Sequence, residues 1–150
     1  MSVLLTASLS AALPLSAASH VDVVKMRTEN QVNPLGIGTS TPRFSWQITS
    51  DRKGVVQTSY QILVASSREK LDRNEADLWD SGERNSDEQL WIPYQGKALL
   101  SGAQAYWKVR ITTNKGKSEW TEPQLFTIGL LGETKWSGTW IGLEDLQPGE

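Results

Sequence analysis

The chain has 150 residues, with 15 Lys or Arg and 17 Asp or Glu, which give a formal net charge of −2 at pH 7. This balance predicts neither a nucleic-acid partner nor a membrane partner, because both select basic surfaces. The chain has no cysteine and one histidine, His20, which excludes or nearly excludes disulfides, a thiolate nucleophile, cysteine-rich zinc sites and a Ser–His–Asp triad. We therefore expect no cofactor and no metal, since most zinc and redox chemistry is excluded as well.

Residues 1–18 are typical of a signal peptide. They carry no charged side chain, and an apolar run ends at Pro14, after which come the small residues Ser16, Ala17 and Ala18. Such residues suit signal peptidase, so cleavage is predicted between Ala18 and Ser19. No Lys or Arg precedes the apolar run, which leaves the basic region of the signal incomplete. A membrane span is the alternative, but the segment is shorter than about 18 strongly apolar residues. We expect a periplasmic or extracellular protein.

The next part of the chain predicts three strands. They run from Val21 to Thr28, from Pro42 to Thr49 and from Gln57 to Ala65, with turn-forming residues between them. Apolar side chains recur at every other position of the second and third strands, which places them on one buried face. These inward side chains are Phe44, Trp46, Ile48, Tyr60, Ile62 and Val64.

The middle of the chain predicts one short helix and two short strands. Ser66 to Ala76 is polar apart from Leu71 and a few small residues, and a serine is available to cap the helix. Leu78 to Gly82 is predicted as a brief strand that ends at a glycine. Gln89 to Tyr94 is predicted as another strand.

Residues 99–129 predict a long β-hairpin. On its first strand Trp107, Val109 and Ile111 alternate with polar side chains, and a turn at residues 114–118 precedes the returning strand. Seven or so short strands without crossover helices predict an all-β, fibronectin type III or immunoglobulin-like antiparallel sandwich. Trp46 and Trp107 are expected to form the core between its two sheets.

The hairpin resembles the last two strands of a fibronectin type III module, with one departure. Such modules carry a corner tyrosine two positions before the residue that is Trp107 here, and this chain has Ala105 instead. On the outer face of the same strand, one or both of Lys108 and Arg110 are predicted to lie over the indole of Trp120, at a solvent-facing site.

Three pairs of acidic residues are candidates for glycosidase chemistry. That chemistry needs two carboxyl groups about 5 to 10 Å apart, one with a raised pKa. Each pair lies in or beside a predicted surface turn, where acidic residues are common, so we interpret all three as turn residues. A calcium site from Asp77, Asp80 and Glu83 lacks the oxygen-rich loop that the ion prefers. The pairs are Asp77 with Asp80, Asp87 with Glu88, and Glu119 with Glu122.

The order of short motifs along the chain resembles one particular family more closely than fibronectin type III modules in general. Between Met26 and Gly142 the chain reads RTENQVNPLGIGTSTPRFSWQI, QTSYQILVASS, DLWDSG, IPYQGKALLSGAQAYWKVRI, SEWTEP and KWSGTWIG. In this order the motifs resemble the amino-terminal region of secreted bacterial α-L-rhamnosidases, which are glycoside hydrolases. The resemblance implies a non-catalytic accessory module of enzymes that cleave terminal α-L-rhamnose by inversion, using two carboxylates in a later (α/α)6 barrel. No catalytic residue carries over, because the barrel motifs have no matching positions here.

The resemblance also implies a domain plan. Residues 1–18 are the signal peptide, residues 19–131 the sandwich, and residues 132–150 a linker and the start of a truncated following β-domain. The expected partners are the downstream β-sandwich and (α/α)6 domains of the parent enzyme. The last segment contains an apolar strip for which the sandwich has no remaining edge: Trp136, Trp140 and Ile141.

Two alternatives stay open. One is a carbohydrate-binding module, in which Trp91, Tyr94 and Trp120 stack on sugar faces and make a weak glycan contact. The other is a free adhesion or interaction module unrelated to any enzyme. Continuation of the coding sequence past Glu150 into sandwich and barrel domains separates the second alternative from the rhamnosidase module.

Overall fold

The computed structural model describes residues 20–132, so the predicted signal peptide and residues 133–150 lie outside the described residues. Within this range the chain forms eight strands and one short helix, all strand pairs of the two sheets being antiparallel. In chain order they are β1 (Val21–Thr28), β2 (Arg43–Ser50), β3 (Gln57–Ala65), α1 (Arg68–Asp72), β4 (Trp79–Asp80), β5 (Ile92–Pro93), β6 (Gln104–Thr113), β7 (Gly116–Lys117) and β8 (Gln124–Thr127).

The strands form the two sheets of an immunoglobulin-like sandwich. The first sheet has the order β1-β2-β5, and the second has the order β4-β3-β6-β7 with β8 also paired to β6. The pairing of β3 with β6 is the longest, running from Gln57 opposite Thr113 to Ala65 opposite Tyr106. The predicted all-β fold is confirmed, with eight strands where about seven were expected.

Alternation along β2 and β6 builds the core between the sheets. Trp46 and Trp107 are both fully buried, as the period-2 pattern predicts. Phe44 joins the sheets: its ring centroid lies 4.4 Å from that of Trp107 and 5.8 Å from that of Phe126. Aromatic packing of this kind adds to the stability that area burial gives.

The corner without a tyrosine is fastened by other bonds. Ala105 is fully buried in the position discussed above. The Gly102 N–H donates to the Ile128 carbonyl at 3.1 Å, and the Ile128 N–H donates to the Ala103 carbonyl at 2.8 Å. The Leu131 N–H donates to Ser101 Oγ at 2.9 Å. These bonds tie the turn before β6 to the residues after β8.

The two short middle strands are shorter than predicted. Only Ile92 and Pro93 of the segment Gln89–Tyr94 pair with β2, because Trp91 has a φ of 60° and breaks the extended backbone. Of the predicted strand at residues 78–82, only Trp79 and Asp80 pair with β3.

The predicted helix forms over five residues, with Ser67 as its N-cap. Its Leu71 is fully buried against Leu63 and Ala65, on the outer face of the second sheet. This makes a second, smaller core. At five residues the helix is far shorter than a membrane crossing requires, and no longer one occurs in the part of the chain described.

Candidate functional site

Asp77 is held at the entrance to α1. Its carboxylate accepts hydrogen bonds from the Ser66 N–H at 2.9 Å, the Ser66 hydroxyl at 2.7 Å and Lys70 Nζ at 2.6 Å. Burial raises the pKa of this carboxyl, but the bonds from Lys70 and Ser66 outweigh burial and lower the pKa to about 2. Asp77 therefore stays ionised and fastens the residues before β4 to the helix.

Asp80 and Glu83 have separate structural partners. Asp80 Oδ1 accepts a hydrogen bond from Gln61 Nε2 at 2.9 Å. The hydroxyls of Ser59 and Thr112 donate to Glu83 at 2.8 and 3.1 Å and lower the pKa of its carboxyl. The three residues weighed for calcium thus serve different contacts. Among the described residues no three His, Asp or Glu side chains are grouped so as to hold a metal ion.

The other acidic pairs also lie at the surface. Glu122 forms an ion pair with Arg68 at 2.7 Å, and Asp87 borders an open groove of about 470 Å³. Wherever the surroundings shift a carboxyl pKa in the described part of the chain, they lower it, whereas a glycosidase acid needs a raised pKa. The carboxyls with a lowered pKa are Glu29, Glu69, Glu75, Asp77 and Glu83.

Tyr94 offers no ring face to a sugar, contrary to the stacking alternative. Its side chain is buried, and its hydroxyl donates to the Lys97 carbonyl at 2.7 Å. The ring meets that of Trp79 edge to face, with centroids 5.4 Å apart. Burial raises the pKa of Tyr94 to about 12. The sequence pattern did not reveal the burial of Tyr94, because this residue lies just after β5 and not on a paired strand.

Two cations lie over the ring of Trp120, as predicted. Arg110 Cζ lies 4.4 Å and Lys108 Nζ 5.2 Å from the ring centroid. The predicted solvent-facing environment is wrong for Lys108, which is buried and donates from Nζ to the Leu71 carbonyl of α1. Burial lowers the pKa of Lys108. Lys108 is buried because α1 and Trp120 cover this part of the outer face of the second sheet.

Trp91 is the exposed aromatic of the three, at 47% of its surface. The backbone N–H of Trp91 donates to Ser45 Oγ at 3.0 Å, which holds the backbone at its positive φ. Arg43 Cζ lies 4.3 Å from the ring centroid, and Glu29 binds the Arg43 guanidinium with two bonds of 3.0 and 2.8 Å. The shared outward phase of Arg43 and Ser45 on β2 is the sequence signal for this contact.

The three aromatics therefore form no common platform. Trp91 precedes β5 of the first sheet, Trp120 packs on the outer face of the second sheet, and Tyr94 is internal. A groove of about 310 Å³ is lined by Trp79 and Tyr60, but both of these rings are buried in the core and offer little surface for stacking.

Comparison with known proteins agrees with the fold. The family described as "Rha78A-like, N-terminal immunoglobulin domain" matches residues 23–132. An α-L-rhamnosidase of Formosa agariphila is 39% identical over 127 residues, which is 83% of this chain and 13% of that enzyme.

Two solved structures are similar to this chain in fold. The crystal structure of the Streptomyces avermitilis α-L-rhamnosidase complexed with L-rhamnose matches with a TM-score of 0.75 and 36% identity, over 82% of this chain and 12% of that one. The α-L-rhamnosidase from Dictyoglumus thermophilum matches with the same TM-score and identity, over 80% of this chain and 14% of its own. The chain spans about an eighth of the length of these relatives. The matched region therefore lies in larger rhamnosidase chains that contain other domains.

Proposed function

Since this chain belongs to the Rha78A-like family of N-terminal immunoglobulin domains, we propose that it is a non-catalytic accessory module of an exported α-L-rhamnosidase. The parent enzyme would hydrolyse terminal α-L-rhamnose from glycans in an (α/α)6 barrel that this chain does not contain. The observation that carries the proposal is the match of a whole sandwich to about an eighth of such enzymes. The lowered carboxyl pKa values support a structural role for its acidic residues.

A domain exchange tests the accessory role. In the Streptomyces avermitilis enzyme, the region matched by this chain is deleted or replaced by residues 20–132. We expect deletion to lower the soluble yield and melting temperature, and replacement to restore both. The kcat for an aryl α-L-rhamnoside should stay within about threefold of the parent value in the exchanged enzyme, because an accessory module makes no contact with the transition state.

Two outcomes would contradict this proposal. The first is hydrolysis of the aryl rhamnoside by the purified 150-residue chain, since this would require an active site of its own. The second is an exchanged enzyme as unstable as the deletion variant, since this would mean that the sandwich does not serve the role of its relatives.

The carbohydrate-binding alternative now rests on Trp91. Its ring is exposed, although one face already carries the Arg43 guanidinium. Calorimetric titration with rhamnosylated oligosaccharides is expected to show no saturable heat at millimolar ligand. Saturable binding that is lost in Trp91→Ala but kept in Leu90→Ala would favour this alternative over a purely structural module.

A further inference from the structure

Residues 66–77 connect β3 to β4, include α1 and lie on the outer face of the second sheet. We refer to these residues as the strap. The carboxylate of Asp77 accepts hydrogen bonds from the Ser66 N–H at 2.9 Å and from the Ser66 hydroxyl at 2.7 Å, so the two ends of the strap are joined to each other. Lys70 Nζ completes this clasp, at 2.6 Å from Asp77 and 2.9 Å from Ser66 Oγ.

The strap makes its own backbone hydrogen bonds. The Glu75 N–H donates to the Lys70 carbonyl at 2.8 Å, inside the strap. Just before the strap, β3 ends at Ala65, and just after it the Leu78 N–H donates to the Val64 carbonyl at 3.2 Å. The sheet bonds on either side can therefore stay formed when the strap moves.

The strap packs on a core of its own. Leu71 is fully buried and contacts Leu63 and Ala65, in a cluster separate from the main core between the sheets. The strap is also tied by the ion pair of Arg68 with Glu122, but the side chains of this pair are 51% and 82% exposed, and exposed pairs contribute little to stability. Segments held by few buried apolar contacts open at a lower cost in free energy than global unfolding.

The strap covers an amine of β6. Lys108 is 5% exposed, and its Nζ donates to the Leu71 carbonyl. The same Nζ lies 5.2 Å from the centroid of the Trp120 ring. A reagent in solution cannot reach the amine while it is buried in this way. Because the carbonyl that accepts its hydrogen bond belongs to the strap, opening of the strap frees Nζ.

We propose that the strap opens as a unit while the sandwich stays folded, and that this opening controls whether the Lys108 amine reacts with acyl donors. The closed strap withholds the amine. The open strap presents it on a surface that also carries Leu63 and Ala65. Lys108 is thus a gated modification site, and the gate is held by the clasp at Asp77 and by the insertion of Leu71.

Acetylation of the 150-residue chain by N-acetoxysuccinimide, quantified by peptide mass spectrometry, tests the gate. The reaction forms an amide at Nζ and releases N-hydroxysuccinimide, which takes up the proton of the amine. The rate at Lys108 divided by the rate at the exposed Lys53 reports the open population of the strap. Asp77→Asn should raise this ratio at least about fivefold, because it removes the charge that Lys70 binds. Leu71→Ala should raise it at least about tenfold, with the near-UV circular dichroism of the parent retained.

Trp46→Phe is the matched control, because it alters the main core and leaves the cluster beneath the strap unchanged. Its ratio should stay within about twofold of the parent value. If the ratio rises as much in this control as in Asp77→Asn, only global unfolding exposes Lys108 and the proposal is overturned. Unchanged ratios in both strap variants, or loss of the folded sandwich in Leu71→Ala, would overturn it as well. The domain exchange above can succeed whether or not the strap opens.

Discussion

Trp46 and Trp107 occupy equivalent places in the core but satisfy their indole N–H groups differently. Trp46 Nε1 donates to Gln57 Oε1 at 3.1 Å, and Gln57 Nε2 in turn donates to the carbonyls of Ser86 and Glu88. Trp107 Nε1 is buried with no hydrogen-bond partner among the described residues. The two residues therefore separate the contribution of ring volume from that of the polar group.

Replacing each tryptophan by phenylalanine isolates this difference. Both variants lose similar volume, but Trp46→Phe also leaves Gln57 Oε1 buried without a donor. We expect Trp46→Phe to be more destabilising than Trp107→Phe by about 1 to 3 kcal/mol, the cost of an unsatisfied buried acceptor. Urea unfolding of both variants measures the difference. Equal losses, or a larger loss for Trp107→Phe, would show that ring packing alone decides stability here.

Gly96 sets how closely the loop after β5 approaches β4. A Cβ at this position would lie 2.4 Å from Trp79 Cβ, 2.5 Å from the Leu78 carbonyl oxygen and 2.5 Å from Tyr94 Oη. Two of these neighbours belong to the buried aromatic contact between Trp79 and Tyr94. No flexible side chain can yield there, so the glycine is required by space.

Gly96→Ala is expected to destabilise the protein by about 3 kcal/mol, because the clash overpacks a buried contact. Gly38→Ala is the matched control, since nothing lies within 4 Å of its added Cβ and its φ is not positive. The control should change stability by less than about 1 kcal/mol. Thermal unfolding of the two variants gives the comparison, and a Gly96→Ala protein as stable as the control would contradict the geometry.

The bounds of the long strands could be predicted from sequence, whereas the lengths of the short middle strands could not. The bounds of β1 and β3 are as predicted, and β3 shows the alternation of side chains that a strand with one buried face carries. The strand β5 is cut short by Trp91, whose backbone is set by a bond to Ser45, 46 residues earlier. The covering of Lys108 by α1 is likewise a tertiary event, which alternation on β6 cannot reveal.

The acid sensitivity of the whole molecule follows from its carboxylates. Those of Asp77, Glu29 and Glu83 accept hydrogen bonds in the folded state that lower their pKa values. A carboxyl with a lowered folded pKa stabilises the protein fully above its unfolded pKa, and this contribution is lost as pH falls toward the folded pKa. For Asp77 the interval runs from about pH 4 to 5, just above the ordinary aspartate pKa of 3.8, down to about 2.

Asp77→Asn should therefore lower the melting temperature at pH 7, and the difference from the parent should shrink as pH falls from about 5 to 2. We expect a difference of about 3 °C or more at neutral pH, since the variant loses the ionised partner of Lys70. Asp87→Asn is the control, because Asp87 is exposed and its carboxylate accepts no hydrogen bond from the described residues. Calorimetric melting from pH 2 to 7 measures both variants. A deficit in Asp77→Asn that stays constant across this range would mean that Asp77 contributes packing rather than charge.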